Sequence, residues 1–186
     1  MTTPEALGQI VPQLTDELVI HTTGYVCRDS CALQDRPGNF YMIGSMGLAS
    51  SIGLGLAQAQ PARRVVVFDG DGALLMGLGT LAMASTMSLN NFYHVVFDNE
   101  AYASTGYQPT HSRTIALDAL ARASGYRWVA RADSPAAVAE QFRAMRASAG
   151  PAFLLVKCVE RAGAPSSRIP HAPPAITQRV MAAART

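Results

Sequence analysis

Val65-Val66-Val67-Phe68-Asp69-Gly70-Asp71-Gly72 carries four consecutive apolar residues straight into a Gly-Asp-Gly turn. Pro61-Ala62-Arg63-Arg64 precedes the run and glycines close it, so residues 65–69 read as a strand buried on both faces, which shows no polar alternation. Leu78 to Leu89 has helical character, and Phe92 to Phe97 is apolar again, with Val95-Val96-Phe97 leading into Asp98-Asn99-Glu100. Strand, helix and strand in that order make a β-α-β unit. Its two loops would lie at the carboxyl ends of the strands, where open α/β sheets bind their ligands.

Outward from this unit the alternation continues. Thr3 followed by Pro4 and Glu5 reads as a helix N-cap, with Leu7, Ile10, Val11 and Leu14 at helical spacing, so a first helix should end near Gln13 to Thr15. Leu18-Val19-Ile20-His21-Thr22 and Asn39-Phe40-Tyr41-Met42 read as short strands closed by Gly24 and Gly44, with His21 taken as buried structure. Met46 to Gln60 is crowded with Gly, Ala and Ser. Leu48, Ile52, Leu56 and Ala59 share one of its faces, so it reads as a closely packed helix. Downstream come a loop over 103–114, a helix at about 115–124, a strand at Trp128-Val129-Ala130, a helix capped by Ser134 and a strand over 152–159. The pattern predicts an α/β three-layer sandwich, a central parallel sheet with helices on both faces, over residues 1–160. Residues 161–186 shift to Pro, Ala and Arg and read as an extended arm with a short terminal helix, suited to packing on a neighbour.

The 186 residues, 49% hydrophobic, suffice for one large core. Fifteen basic and thirteen acidic residues, scattered to a net +2, argue against nucleic acid or a membrane surface as partner. Cys27, Cys31 and Cys158 are too few and too unevenly spaced for a zinc, iron–sulfur or disulfide framework, and read as reduced thiols of a cytoplasmic protein. Met1 to Glu5 begin no secretory leader, and no run of eighteen apolar residues occurs.

The chemistry concentrates in the two loops. Asp71 offers a carboxylate, Gly70, Gly72 and Ala73 let backbone N–H groups face phosphate oxygens, and Asn99, 28 residues beyond Asp71, offers an amide oxygen. The loop behind Asn99 can turn the Ala101 carbonyl inward. Asp71, Asn99 and Ala101, with two phosphate oxygens and a water, would complete six hard-oxygen ligands for Mg²⁺. Each loop taken singly is also an ordinary turn. The pairs Gly53-x-Gly55 and Gly77-x-Gly79 complete no dinucleotide fingerprint.

Gly70-Asp71-Gly72 through Asn99 resembles the motif of the thiamine diphosphate-dependent enzymes, with Asp98 where an asparagine is usual. The resemblance implies thiamine diphosphate and Mg²⁺ as cofactors, a thiamine diphosphate-binding fold, and Tyr102 close to the cofactor. Gly44-Ser45-Met46-Gly47 resembles the segment that cradles the aminopyrimidine in the 2-oxo acid decarboxylases. It implies that the Gly44 carbonyl accepts from the exocyclic amine, beside Ser45, and that Met46 wedges beneath the cofactor. The stretches 35–47 and 98–110 are most similar to the sulfopyruvate and phosphonopyruvate decarboxylases, over about residues 5–160. They imply decarboxylation of a small anionic 2-oxo acid, with Ser104, Thr105 and Gln108 on the substrate side and Tyr107 departing from the usual pattern. His111 and Arg113 lie nearby and read as solvated loop residues.

In that family a glutamate from a separate pyrimidine-binding domain activates the cofactor. Glu5, Glu17, Glu140 and Glu160 read instead as solvated surface, and Glu100 lies between the two metal ligands, away from the pyrimidine. The resemblance therefore implies a site completed by a pyrimidine-binding partner subunit carrying the glutamate, with self-association of this subunit. The competing readings are a non-catalytic thiamine diphosphate-binding domain and a carboligase subunit of the acetolactate synthase type, the latter disfavoured by length.

Overall fold

Val65 to Phe68 are completely buried and form the core of β3 (Val65–Gly70), which pairs in parallel with β1 (Leu18–His21) on one side and β4 (Phe92–Asp98) on the other. The computed structural model describes residues 1–185. The remaining elements are α1 (Thr3–Ile10), α2 (Tyr25–Leu33), β2 (Asn39–Tyr41), α3 (Ala49–Ala59), α4 (Asp71–Met76), α5 (Thr80–Met87), the hairpin β5 (Ala101–Tyr102) and β6 (Gln108–Pro109), α6 (Leu117–Ala123), β7 (Trp128–Ala132), α7 (Pro135–Ala147), β8 (Ala152–Lys157) and α8 (Pro173–Ala183). The main sheet runs β2-β1-β3-β4-β8-β7, all parallel.

Alternate strand residues enter opposite layers. Val66, Phe68, Val95 and Leu154 pack with α1 and α7 through Leu7, Ile10, Val138 and Phe142. Val65, Val67, Val96 and Phe153 pack with α3, α5 and α6 through Leu54, Leu81 and Leu117. This is the expected three-layer α/β sandwich, with the period-2 geometry of strands dividing one apolar run between two cores.

Strand order reverses at β1. The chain proceeds from β1 outward to β2, then returns to place β3 on the other side of β1. The carboxyl ends of β1 and β3 therefore diverge into loops on opposite faces and leave a crevice between them.

Several expectations need correction. The first helix is capped by Thr2, not Thr3: Glu5 N–H donates to Thr2 Oγ1 at 3.5 Å and Thr2 N–H to Glu5 Oε2 at 2.7 Å, a reciprocal capping box. α3 begins at Ala49, three residues after Met46, and it buries Ala49, Ser50, Gly53, Leu54 and Ala57 while Leu48 and Ile52 are 51% and 37% exposed. The cause is proximity: a Cβ on Gly53 would lie against Val67 Cγ2, so the face that carries this glycine is the one that fits against β3. Glu17 is fully buried rather than solvated, paired with Arg146 at 2.6 Å and Arg64 at 3.4 Å. α2 and α4 were not anticipated. The arm after β8 turns back on its own chain: Arg161 pairs with Asp29 at 2.7 Å, Ser166 N–H donates to Asp29 at 3.2 Å, and Ile176 of α8 packs with Cys27 and Tyr41. His171 and Arg179 both hold Asp35, at 2.7 and 2.9 Å.

His21 is buried structure, as expected. Its Nδ1 meets the Phe40 carbonyl at 3.2 Å and its Nε2 the Ser30 hydroxyl at 2.9 Å, and burial pushes its pKa down to about 3, so the ring is neutral. Among the described residues no helix is long and apolar enough to cross a membrane, and all three cysteines are free.

Candidate cofactor site

The crevice between β1 and β3 opens into a cleft lined from three directions. Thr22 and Gly24 come from the loop after β1 and Tyr25 from the start of α2, Gly70 to Ala73 from the end of β3 and the start of α4, and Asn99, Ala101 and Tyr102 from the loop after β4 and the strand β5 that follows it. Met46, Ser104 and Thr105 also line the cleft, as do Asp29 of α2 and Arg161 of the arm.

α4 starts at Asp71, so the first-turn N–H groups of Gly72 and Ala73 have no helical acceptor. Tyr102 covers this turn. A Cβ on Gly72 would lie 2.3 Å from Tyr102 Cε1, so glycine there is a condition for seating the ring. Below the turn, Asp69 is fully buried; its Oδ1 accepts from Gly70 N–H at 3.0 Å and its Oδ2 meets His94 Nε2 at 3.3 Å. His94 Nδ1 in turn lies 3.4 Å from the Tyr126 hydroxyl. This buried chain supports the loop from inside the sheet. The sequence reading missed it because its members are 25 and 32 residues apart in sequence.

Asp71 uses one carboxylate oxygen for the protein. Thr110 Oγ1 donates to Asp71 Oδ2 at 2.5 Å, and Ser112 Oγ lies 3.1 Å from the same atom while donating to Asp98 Oδ1 at 2.8 Å. The other oxygen, Oδ1, faces the Asn99 side chain. There one atom of the Asn99 amide stands 3.3 Å from Asp71 Oδ1 and 3.0 Å from the Ala101 carbonyl oxygen, positions that its nitrogen would fill as a donor to both and its oxygen would leave without a proton. With the amide oxygen there, a cation among the three oxygens would fill both gaps, since ligands at 2.0–2.1 Å from Mg²⁺ in octahedral array lie about 2.9 Å from their neighbours.

Electrostatics favour the cation. Burial raises the Asp71 pKa, and the neighbouring Asp98 charge raises it further against the lowering hydrogen bonds of Thr110 and Ser112. A buried carboxylate in that state is stabilised by an adjacent divalent ion. The donor set, one carboxylate and two neutral oxygens, is the hard-oxygen type that suits Mg²⁺. Among the described residues no group of three or more His, Cys, Asp and Glu is placed to hold a metal ion.

Asp98 is turned away from these oxygens. Lys157 Nζ donates to Asp98 Oδ2 and Glu100 Oε1, both at 2.7 Å, and Glu100 N–H donates to Asp98 Oδ1 at 3.2 Å. Burial opposes the lysine charge, yet these two carboxylates hold its pKa above the ordinary value. The carboxylate at position 98 is thus matched by a lysine on the adjacent strand, β8.

A model of the thiamine pyrophosphate enzyme C-terminal TPP binding domain matches residues 26–156. The chain belongs to this family. The TPP binding domain is 49% identical over 129 residues to the sulfopyruvate decarboxylase subunit beta of Methanothermobacter thermautotrophicus, covering 69% of each chain. It is 38% identical over 176 residues to the sulfopyruvate decarboxylase of Methanosarcina acetivorans, covering 94% of this chain but 45% of that one. To the phosphonopyruvate decarboxylase of Streptomyces viridochromogenes it is 46% identical over 125 residues, 67% of this chain and 31% of that one. Among solved structures, the thiamine diphosphate-dependent 4-hydroxybenzoylformate decarboxylase of Rhodococcus jostii superposes on 88% of this chain and 33% of its own, with a TM-score of 0.75 at 15% identity, a likeness of fold.

The TPP binding domain brings most of the expected residues together, but not all. Asp71, Asn99, Ala101, Tyr102, Gly70, Gly72, Ala73 and Met46 line one cleft, with Ser104 and Thr105 at its edge. Gly44 and Ser45 do not line it; they are exposed on an adjoining groove with Ile43, Leu48 and Ile52. Gln108 is engaged inside its own loop, where Thr105 Oγ1 donates to Gln108 Oε1 at 3.0 Å and Gln108 Nε2 to the Thr105 carbonyl at 3.3 Å. His111 is exposed, and Arg113 lies 3.8 Å from Glu100. The loop after β1 was missed. Thr22 is 2% exposed and its hydroxyl has no hydrogen-bond partner, an orphaned polar group on the cleft wall suited to a ligand oxygen. A threonine pair after a buried strand was its only trace in the sequence.

Proposed function

We propose that this chain is the diphosphate- and magnesium-binding subunit of a thiamine diphosphate-dependent decarboxylase. Its substrate would be a small anionic 2-oxo acid, 3-sulfopyruvate first and phosphonopyruvate next. The observation that carries the reading is the convergence of Asp71 Oδ1, the Asn99 side-chain amide and the Ala101 carbonyl oxygen, with the amide 3.3 and 3.0 Å from the two oxygens. Those three would hold Mg²⁺. The N–H groups of Gly72 and Ala73 and the Thr22 hydroxyl would take diphosphate oxygens. Met46, half-buried on the cleft wall, would support the middle of the cofactor, and the Gly44 carbonyl, exposed on the neighbouring groove, would meet the pyrimidine amine. When bound, thiamine diphosphate supplies an electron sink for the carbanion left by loss of carbon dioxide. Ser104 and Thr105 would orient the 2-oxo acid beside it.

A partner chain is part of the proposal. The carboxylates lining the cleft are Asp71, held by Thr110 and Ser112, and Asp29, held by Arg161, so neither is placed to activate the pyrimidine. The glutamate would come from a pyrimidine-binding subunit. Beside Met46 the surface is apolar: Ile43, Leu48 and Ile52 line one groove, and Met76, 62% exposed, abuts Gly47. Such a face suits that partner and self-association of this subunit. The relatives' names, sulfopyruvate decarboxylase subunit beta above all, support the same division of labour.

The test is carbon dioxide release from 3-sulfopyruvate, phosphonopyruvate and pyruvate, with the chain and a pyrimidine-binding partner combined. Turnover that needs both chains and prefers an anionic substrate is expected. No release from any of the three, with the cofactor bound, would refute the activity.

A further inference from the structure

Beyond the loop at Thr23 and Gly24 lies a second cavity of about 440 Å³, sharing those residues, Tyr25 and Ser104 with the cofactor cleft. Two arginines line it, Arg28 from α2 and Arg168 from the arm. The acids of this region are already matched: Asp29 holds Arg161 at 2.7 Å, and Asp35 holds His171 and Arg179 at 2.7 and 2.9 Å. Arg28 has only the Ser167 carbonyl, 3.4 Å from its Nε, and the Tyr25 ring at 5.5 Å. Among the described residues Arg168 has no ion pair or hydrogen-bond partner, and its side chain is exposed. No carboxylate lines the cavity; Met42, Ile43 and Ile169 supply apolar wall.

In the cofactor cleft that Ser104 lines, Arg161 is paired with Asp29 at 2.7 Å, and in the loop that follows Ser104 the cationic and amide groups are engaged as well. Arg113 faces Glu100 at 3.8 Å, and the Gln108 amide is bonded to Thr105. The free positive charge beside Ser104 is therefore on the Arg28 and Arg168 side. Two guanidinium groups with no counter-ion, one anchored on a helix and one on a strap tied down at Asp29 and Asp35, match a tetrahedral oxyanion presenting several acceptors.

We propose that Arg28 and Arg168 form the subsite for the second anionic group of the 2-oxo acid, a sulfonate or phosphonate, with Ser104 at the passage between this subsite and the cofactor cleft. The assignment rests on the decarboxylase reading and adds the residues that select its substrate. It also gives the arm a role: it carries Arg168 to the cavity.

The test separates the two claims. Sulfoacetate, phosphonoacetate and acetate lack the reacting carbonyl, so calorimetric titration of the full chain reads the subsite without turnover. Wild type should bind sulfoacetate and phosphonoacetate at least tenfold tighter than acetate, both with and without thiamine diphosphate and magnesium. Arg28→Gln and Arg168→Gln should each lose at least tenfold for the two dianions, and Arg131→Gln, on exposed β7 surface, should lose none. Arg168→Gln is the decisive variant, because that side chain makes no bond whose loss would loosen the arm. Equal affinities in wild type and Arg168→Gln, displacement of sulfoacetate by thiamine diphosphate, or no preference over acetate would each overturn the proposal. Failure of thiamine diphosphate itself to bind would instead refute the cofactor reading and leave the sulfoacetate result to stand or fall separately.

Discussion

Gly72→Ala is a small change with a calculable consequence. The added methyl would sit 2.3 Å from Tyr102 Cε1, 2.8 Å from Cδ1 and 3.1 Å from Cζ. Carbon atoms rest at about 3.5–4.0 Å, so ring and helix must part by roughly 1.2 Å or more. Overpacking of this kind costs about 1–3 kcal/mol, which for a domain of this length lowers Tm by roughly 2–12 °C. The larger effect falls on the site. Tyr102 follows Ala101, whose carbonyl is one of the three converging oxygens, so moving the ring moves a proposed ligand. Misplacement by about 1 Å can cost on the order of a hundredfold where geometry is exacting, and thiamine diphosphate affinity in the presence of magnesium should fall tenfold to a hundredfold. Thermal unfolding and calorimetry of Gly72→Ala, Tyr102→Ala and the double variant form the assay. Removing the ring should relieve the methyl, so the double variant should be no less stable than Tyr102→Ala alone. A single variant with wild-type Tm and affinity, or a double variant that sums the two losses, would refute the packing argument.

Three further outcomes are expected. Lys157→Met strands the Asp98 carboxylate, 2% exposed, and should cost about 3–5 kcal/mol in urea unfolding, the range for breaking a buried pair; adding Asp98→Asn should recover much of it, because the amide needs no counter-ion. His21 has a folded pKa of about 3, below its ordinary value of 6.5. The unfolded chain therefore takes up a proton that the folded chain refuses. Stability from this group is complete above the unfolded pKa and declines as pH falls from about 6.5 toward 3, by up to about 1.4 kcal/mol per pH unit; denaturant melts across that range that show no proton uptake on unfolding would contradict the buried neutral ring. Asp69→Asn weakens the hold on Gly70 and His94, and should reduce cofactor affinity although Asp69 lies beneath the site; an unchanged affinity would make that chain purely a core feature.

The legible part of the molecule was local. β3 and β4 were readable because an unbroken apolar run has few outcomes other than a buried strand, and glycine with aspartate at its end marks a turn at a strand's carboxyl terminus. The pairing of Asp71 with Asn99 became readable only through resemblance, since either loop alone is an ordinary turn. What escaped was set by tertiary partners. Glu17 is buried because Arg64 and Arg146, 47 and 129 residues away, meet it there. α3 turns the side with Gly53, Leu54 and Ala57 inward because β3 comes too close at Gly53 for any side chain, so the face with Leu48 and Ile52 was left outside. α4 is too short to show helical periodicity. Gln108 has the right chemistry for a substrate but spends it on Thr105, a choice made by loop geometry rather than residue type.

Calorimetric titration of thiamine diphosphate into the full chain, with magnesium and with magnesium removed by chelator, in wild type and Asp71→Ala, bears most directly on the three-oxygen site. Binding should require magnesium, and Asp71→Ala should lose at least a hundredfold in affinity with its fold intact. Equal binding with and without magnesium, or in wild type and Asp71→Ala, would contradict the account.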